Sequence, residues 1–348
     1  MARLPRREVI DEREVAIYHC VNRCVRRAFL CGRDPLTGAS FEHRREWIRA
    51  RLEFLAGEFG VEVLGFAVMS NHLHVILRSR PDVVADWSDD EVARRWWNLF
   101  PQRRDEAGNP AVPTDFEIKV LQADAKTFAA IRQRLASVSW LMRCLAEPIA
   151  RKANKEDGCK GRFWEGRFKC QPLLDEAALT ACSVYVDLNP IRAGLAKTPE
   201  TSTFTSAHER IHAQQPRRHC AGQSHHRRDG WLSPVQLRDE RERQVKRPRR
   251  RASHKGFLPM SETEYLQLID WTGRQVRRDK RGAIPSELAP LLTRLELSSE
   301  TWIETVQHFG RWFHRAAGKP ESLAKEAERR GVSWLSGISH SRVAFAAS

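Results

Sequence analysis

Apolar residues run almost unbroken from Val61 to Met69, stop at Ser70-Asn71, and resume in His72-Leu73-His74-Val75-Ile76-Leu77. Two such runs of strand length around a turn-forming pair predict two buried strands joined by a tight hairpin. Side chains two apart on a strand share a face, so His72 and His74 point the same way. Upstream, Val15 to Val21 is a short β-rich run that predicts a first strand. Between them Trp47, Ile48, Leu52, Leu55 and Phe59 recur at helical spacing until Gly60, which predicts a helix from about Phe41 to Phe59.

Beyond the hairpin, Ser88-Asp89-Asp90-Glu91 caps a helix carrying Val92, Trp96 and Trp97. Residues 101 to 126, rich in Pro, Gly and charge, read as a surface insertion. A long helical pattern starts at Thr127 and is expected to be interrupted at Pro148. Residues 161 to 167 read as a loop and Phe168 to Leu174 as another strand. Asp175 is then an N-cap with Glu176 in the first helical turn, and that helix runs to Asn189 because Pro190 disfavours continuation. The order β, α, β, β, α, β, α, with one added helix, suits an α+β fold: an antiparallel sheet with helices on one face. Residues 1–207 are expected to form this domain. Residues 208–256, with the cluster Lys246 to Arg251, read as a basic linker, and helical patterning returns in 257–348 as a small C-terminal all-α domain.

Composition narrows the class. The 348 residues are 41% hydrophobic with eleven tryptophans, enough for real cores. A net charge of +15 points to a polyanionic partner, with nucleic acid as the default. No apolar run has membrane-helix length, and the charged N-terminus does not read as a signal peptide, so a cytoplasmic, nucleoid-associated protein with no membrane partner is expected. The eight cysteines form no Cys-x-x-Cys pair and read as reduced thiols. There is no internal repeat and no Gly-rich phosphate loop.

Candidate chemistry rests on a conjunction. Two neutral imidazoles side by side hold a divalent metal when a third ligand arrives from another element. A lone His-x-His is more often a pair of core histidines. Tyr185 and Asn189, four apart in Tyr-Val-Asp-Leu-Asn-Pro, share a helix face. If that helix packs beside the hairpin, Asn189 can supply the third ligand and Tyr185 the nucleophile. Singly, Tyr185 reads as a packing residue and Asn189 as a helix terminator; the His pair and the basic charge tip the balance. Arg23, Arg26, Arg27, Arg162, Arg167, Lys169 and Arg192 flank these motifs and suit a phosphate backbone, while Phe163 and Trp164 suit stacking on unpaired bases.

Taken in order, Tyr18 to Arg23, Met69 to His74, Gly166-Arg167-Phe168 and Tyr185 to Gly194 resemble the HUH single-tyrosine transposases, specifically their REP-associated tyrosine transposase branch, over roughly residues 12 to 198. The resemblance implies a ferredoxin-like core, a bound Mg²⁺ or Mn²⁺, a homodimer, and cleavage of single-stranded DNA beside a hairpin. By the same resemblance His72 and His74 are metal ligands, Asn189 is the third, and Tyr185 is the nucleophile. Insertion-sequence relatives carry Gln four residues after the tyrosine; Asn189 is the shorter amide of the closer branch. The expected activity is cleavage and rejoining of single-stranded or hairpin DNA through a 5′-phosphotyrosine. The rivals are a non-catalytic nucleic-acid binding protein that keeps the fold and a metal phosphoesterase that uses an activated water.

Overall fold

The structure, a computed structural model, describes residues 6–25, 30–34, 37–214, 228–237, 250–276 and 298–345. Strands β1 (Ile17–Arg23), β2 (Val61–Val68), β3 (His72–Ser79) and β4 (Lys169–Leu173) form one sheet in the order β2-β3-β1-β4, every neighbour antiparallel. That order follows from two interleaved crossovers. Helix α1 (His43–Glu58) carries the chain from β1 past one strand position to β2, and the hairpin returns β3 into the gap; α2 (Val138–Glu156) precedes β4, which pairs with the free side of β1. This is the expected α+β, ferredoxin-like architecture, except that helices cover both faces of the sheet and not one.

Strand alternation divides the core between the two faces of the sheet. Tyr18, Cys20, Leu73, Val75 and Leu77 go to the α1/α2 side, where Ile48, Leu52, Leu55, Leu141 and Leu145 cover them. Leu64, Ala67 and Ile76 go to the other side, against helix α3 (Glu176–Asp187). Asp175 caps α3 as expected, its carboxylate accepting from the Ala178 amide at 3.0 Å. All of α3 but its first residue is buried, because α4 (Glu262–Val276) and α5 (Ser299–Trp312) pack on its outer side through Leu268, Trp302 and Phe309. Asp187 at its end accepts hydrogen bonds from Ser206 Oγ (2.6 Å), the Ala207 amide (2.9 Å) and the Tyr265 hydroxyl (2.8 Å), which ties α3 to α4 and to the helix Ser206–Gln214. Burial raises its pKa.

Later segments cover both sheet edges. Leu174 donates to Ala317 O and Ala317 to Pro172 O on the β4 side, while Ser233 donates to Val63 O and Val68 to Phe204 O on the β2 side. Within 208–256, Trp231 is buried against Phe66. Arg251 donates to Leu232 O at 2.7 Å and Arg250 pairs with Glu53. Lys246 to Arg249 lie outside the described residues.

Three local expectations need correction. The helical pattern from Thr127 breaks at Ser137, not Pro148: Ser137 is extended and caps α2. Pro148 sits inside α2, and the Cys144 carbonyl that its missing N–H leaves open accepts instead from Arg51 Nε at 3.1 Å. The 101–126 insertion contains a helix, Asp115–Gln122, started by a capping box between Thr114 and Glu117. Phe163 is 2% exposed within the core, and the Trp164 indole donates to Ala146 O, so neither ring is set out for bases. None of the seven described cysteines is in a disulfide, and no helix among the described residues is long and apolar enough to cross a membrane.

Candidate active site

The register of β1 brings the chemistry together. Because Tyr18 and Cys20 take the α1/α2 side, Ile17, His19, Val21 and Arg23 face α3. Directly paired residues share a face, so Val21↔His74 and Arg23↔His72 bring the histidine pair of β3 onto that side. His19↔Gln171 and Val21↔Lys169 do the same for β4. The result is a cleft of about 280 Å³ lined by His19, His72, His74, Gln171 and Tyr185. Exposed Arg23, Glu165, Arg167 and Lys169 stand at its mouth, and Gly310, Phe313 and His314 add a wall from the C-terminal helices.

The sheet and α3 meet at the His pair. The rings of His72 and His74 lie 4.8 Å apart, and Tyr185 stands edge-on to His74 at 5.7 Å and to His19 at 6.2 Å. His19 Nε2 is 2.8 Å from His74 Nδ1, and His19 Nδ1 is 3.3 Å from Gln171 Oε1. His72 Nδ1 is 2.5 Å from Asn71 Oδ1. Burial lowers the pKa of His19 to about 4 and that of His72, helped by the Arg23 charge, also to about 4. His74 is pushed well below the usual value by burial and by the neighbouring His19 and His72. All three are therefore neutral near pH 7.

Tyr185 is 9% exposed and its ring packs on Phe309, centroids 5.5 Å apart. The Arg192 guanidinium lies 4.8 Å over the same ring and donates to Gln307 O. The Tyr185 hydroxyl makes no hydrogen bond to any described residue. Helix α3 ends at Asp187, two residues short of the expected Asn189, which instead opens the short turn Asn189–Arg192 containing Pro190. Asn189 is buried and its amide nitrogen is unpartnered, but it is not among the residues lining the cleft.

The donor set is consistent with a divalent metal at the His pair. His74 Nε2 is buried with no partner, which is uncommon for a native polar atom, and His72 Nδ1 is engaged while its Nε2 is not. Among the described residues no group of three or more His, Cys, Asp or Glu is placed to hold a metal. Arg162 is exposed and outside the cleft; Arg26 and Arg27 lie outside the described residues. Sequence reasoning did not assign roles to His19 and Gln171, which strand register alone reveals, or to Gly310 and His314, for which no local signal exists.

An antiparallel sheet with a His-x-His strand facing a tyrosine-bearing helix is the class that fold and cleft define. No protein-family model matches the chain, and no curated protein does. Among solved structures it is similar to a REP-associated tyrosine transposase bound to a REP hairpin, with a TM-score of 0.33 and 13% identity over 60% of this chain and 89% of that one. That likeness is too distant to assign any residue.

Proposed function

We propose that this protein is a metal-dependent, transposase-like enzyme that cleaves and rejoins single-stranded or hairpin DNA through Tyr185. The observation that carries the reading is the convergence, in one basic-mouthed cleft, of an unengaged tyrosine hydroxyl with two neutral histidines of which each has a free Nε2. His72 and His74 would hold Mg²⁺ or Mn²⁺, with Asn189, its amide nitrogen orphaned just beyond α3, as the proposed third ligand. The metal, when bound, supplies charge that polarises a phosphate.

The chain's own residues account for the rest. Arg23, Arg167 and Lys169 draw the DNA backbone to the cleft mouth. Tyr185, held by Phe309 and α3, presents its oxygen to phosphorus; the phenol loses its proton, a P–O bond forms to Tyr185, and the bond to the 3′ oxygen breaks. The 3′ oxygen takes up a proton to become a free hydroxyl. The phosphotyrosyl ester conserves the bond, so attack by a 3′-hydroxyl reverses the step without ATP. This fits the lack of a phosphate-binding loop in the sequence.

One observation favours the rival, a binding protein without turnover: α5 passes close beside the Tyr185 hydroxyl, so that only the missing side chain of Gly310 leaves it room. A denaturing gel with hairpin-flanked, end-labelled oligonucleotides and Mn²⁺ separates the readings. A covalent protein–DNA adduct supports the proposal, retention in a native gel without an adduct supports the rival, and free cleaved product without an adduct supports a water-using phosphoesterase. The oligomeric state, proposed as a homodimer, is checked by sedimentation.

A further inference from the structure

We infer that Gln171 and His19 are positioning residues that set the tautomer of His74, leaving its Nε2 as a bare lone pair. The inference rests on the metal reading above for its purpose, but its geometry stands alone. Gln171 Oε1 is an acceptor only, so the ring nitrogen facing it, His19 Nδ1, carries the hydrogen. A neutral imidazole has one N–H, which leaves His19 Nε2 as an acceptor. The group 2.8 Å away, His74 Nδ1, must then donate, and the second nitrogen of His74 is bare. That atom, His74 Nε2, is the one the structure buries without a partner.

The chain of bonds is built into the sheet. His19 and Gln171 are direct cross-strand partners on β1 and β4, and His74 is diagonal to His19 on β3, within reach of a ring. The rings of His19 and His74 are nearly parallel, centroids 5.1 Å and planes 11° apart, as a bond in the ring planes requires. The opposite amide orientation would reverse every bond: Gln171 Nε2 would donate to His19 Nδ1, His19 Nε2 would donate to His74 Nδ1, and His74 Nε2 would carry the hydrogen and lose its power to ligate. Gln171 is therefore a selector acting through His19, in the way that outer hydrogen bonds fix the tautomer of ligating histidines elsewhere.

The test reads the tautomer directly. Long-range ¹⁵N–¹H spectra of the metal-free full chain at pH 7 should show His74 protonated at Nδ1 in the wild type. Gln171→Leu and His19→Phe should shift it towards the Nε2–H form and lower Mn²⁺ affinity by about 10–100-fold. Gln171→Glu, which keeps an acceptor on His19 Nδ1, should restore both. A wild-type His74 protonated at Nε2 overturns the inference even if neither variant folds, as does an unchanged tautomer in the folded variants. If the wild type has the expected tautomer but binds no Mn²⁺ and forms no adduct, the proposed function fails and the relay stands.

Discussion

Gly310 of α5 lies against the hydroxyl of Tyr185: a Cβ placed at residue 310 would fall 2.5 Å from that oxygen and 3.1 Å from the ring carbon bearing it. The C-terminal helices thus form one wall of the cleft, and a glycine gives the hydroxyl its room. Gly310→Ala gains about 1 kcal/mol of helix propensity. Against this, overpacking typically costs about 1–3 kcal/mol. The ring is fixed between Phe309 and Arg192, so the cost should win, and urea unfolding should show a net loss. Adding Tyr185→Phe removes the 2.5 Å contact and leaves only the 3.1 Å one, so the double mutant should recover part of the loss. Additive effects would show that α5 does not press on the hydroxyl.

The two candidate metal ligands are not equivalent in the fold. His74 is buried and bonded to His19, whereas His72 is only partly buried and leans on its neighbour Asn71. Both alanine variants should lose Mn²⁺ binding in calorimetry and lose cleavage. His74→Ala should also destabilise the chain by about 1–3 kcal/mol by stranding the buried His19 Nε2, and His72→Ala by less. Mn²⁺ binding that survives in the double variant would return the pair to ordinary core histidines.

How much of this was legible in the sequence depends on whether the deciding interaction is local. The His-x-His pair, the Asp175 cap and the succession of strands and helices along the chain could be read because period-2 alternation, capping chemistry and turn residues act over a few positions. His19 was visible as a residue but not as a site member, since its partners Gln171 and His74 are set by register across three strands. Pro148 misled because what excuses it is a hydrogen bond from Arg51 on another helix. The Thr114/Glu117 capping box was present in the letters but was masked by the Pro, Gly and charge around it. Gly310 and His314 reach the cleft only by tertiary packing, so no pattern in their own stretch marks them.

A buried ion cluster joins the hairpin to the segment before α4. Glu62, fully buried, accepts from Arg78 Nε at 2.5 Å and Arg80 Nη1 at 3.2 Å, and Arg78 also donates to Lys255 O and Gly256 O. Removing the Glu62 carboxylate leaves Arg78 buried with only the Lys255 and Gly256 carbonyls, while Arg80 keeps its ion pair with Asp82 at 2.8 Å. Glu62→Gln should therefore cost about 3–5 kcal/mol, the range for breaking a buried pair from one side. A midpoint in urea unchanged from the wild type would mean that the backbone carbonyls alone hold Arg78.

Burial of His208 sets the sign of a pH dependence of the fold. Burial, reinforced by the neighbouring His212 and Arg228, lowers its pKa to about 4, and its ring sits 4.0 Å from that of His212. In the unfolded chain an ordinary histidine takes a proton near pH 6.5. The unfolded state then binds the extra proton between about pH 6.5 and 4, so stability is full above that window and falls through it as the pH drops. His208→Gln should flatten the wild-type slope there by up to one proton, at most about 1.4 kcal/mol per pH unit. Other buried histidines tilt the curve the same way, so the difference between the two proteins is the quantity to measure. Equal slopes would show that His208 is protonated alike in both states.

Of three tyrosines, one has a hydroxyl with nothing else to do. The Tyr18 hydroxyl accepts from the Asp11 amide at 3.2 Å, and burial raises its pKa. Tyr265 donates to Asp187 at 2.8 Å and is raised well above the usual value by burial and by that carboxylate. Each is a structural bond in the core, so Tyr18→Phe and Tyr265→Phe should cost stability, about 1 kcal/mol for a lost hydrogen bond and more where Asp187 is left short. Neither should alter the covalent adduct per folded molecule. Tyr185 has no such bond, so Tyr185→Phe should leave stability, Mn²⁺ affinity and DNA retention close to wild type while abolishing the adduct on a denaturing gel. An adduct that persists in Tyr185→Phe, mapped by peptide mass spectrometry to another side chain, would remove Tyr185 as nucleophile and require a different residue to reach the phosphate from this cleft.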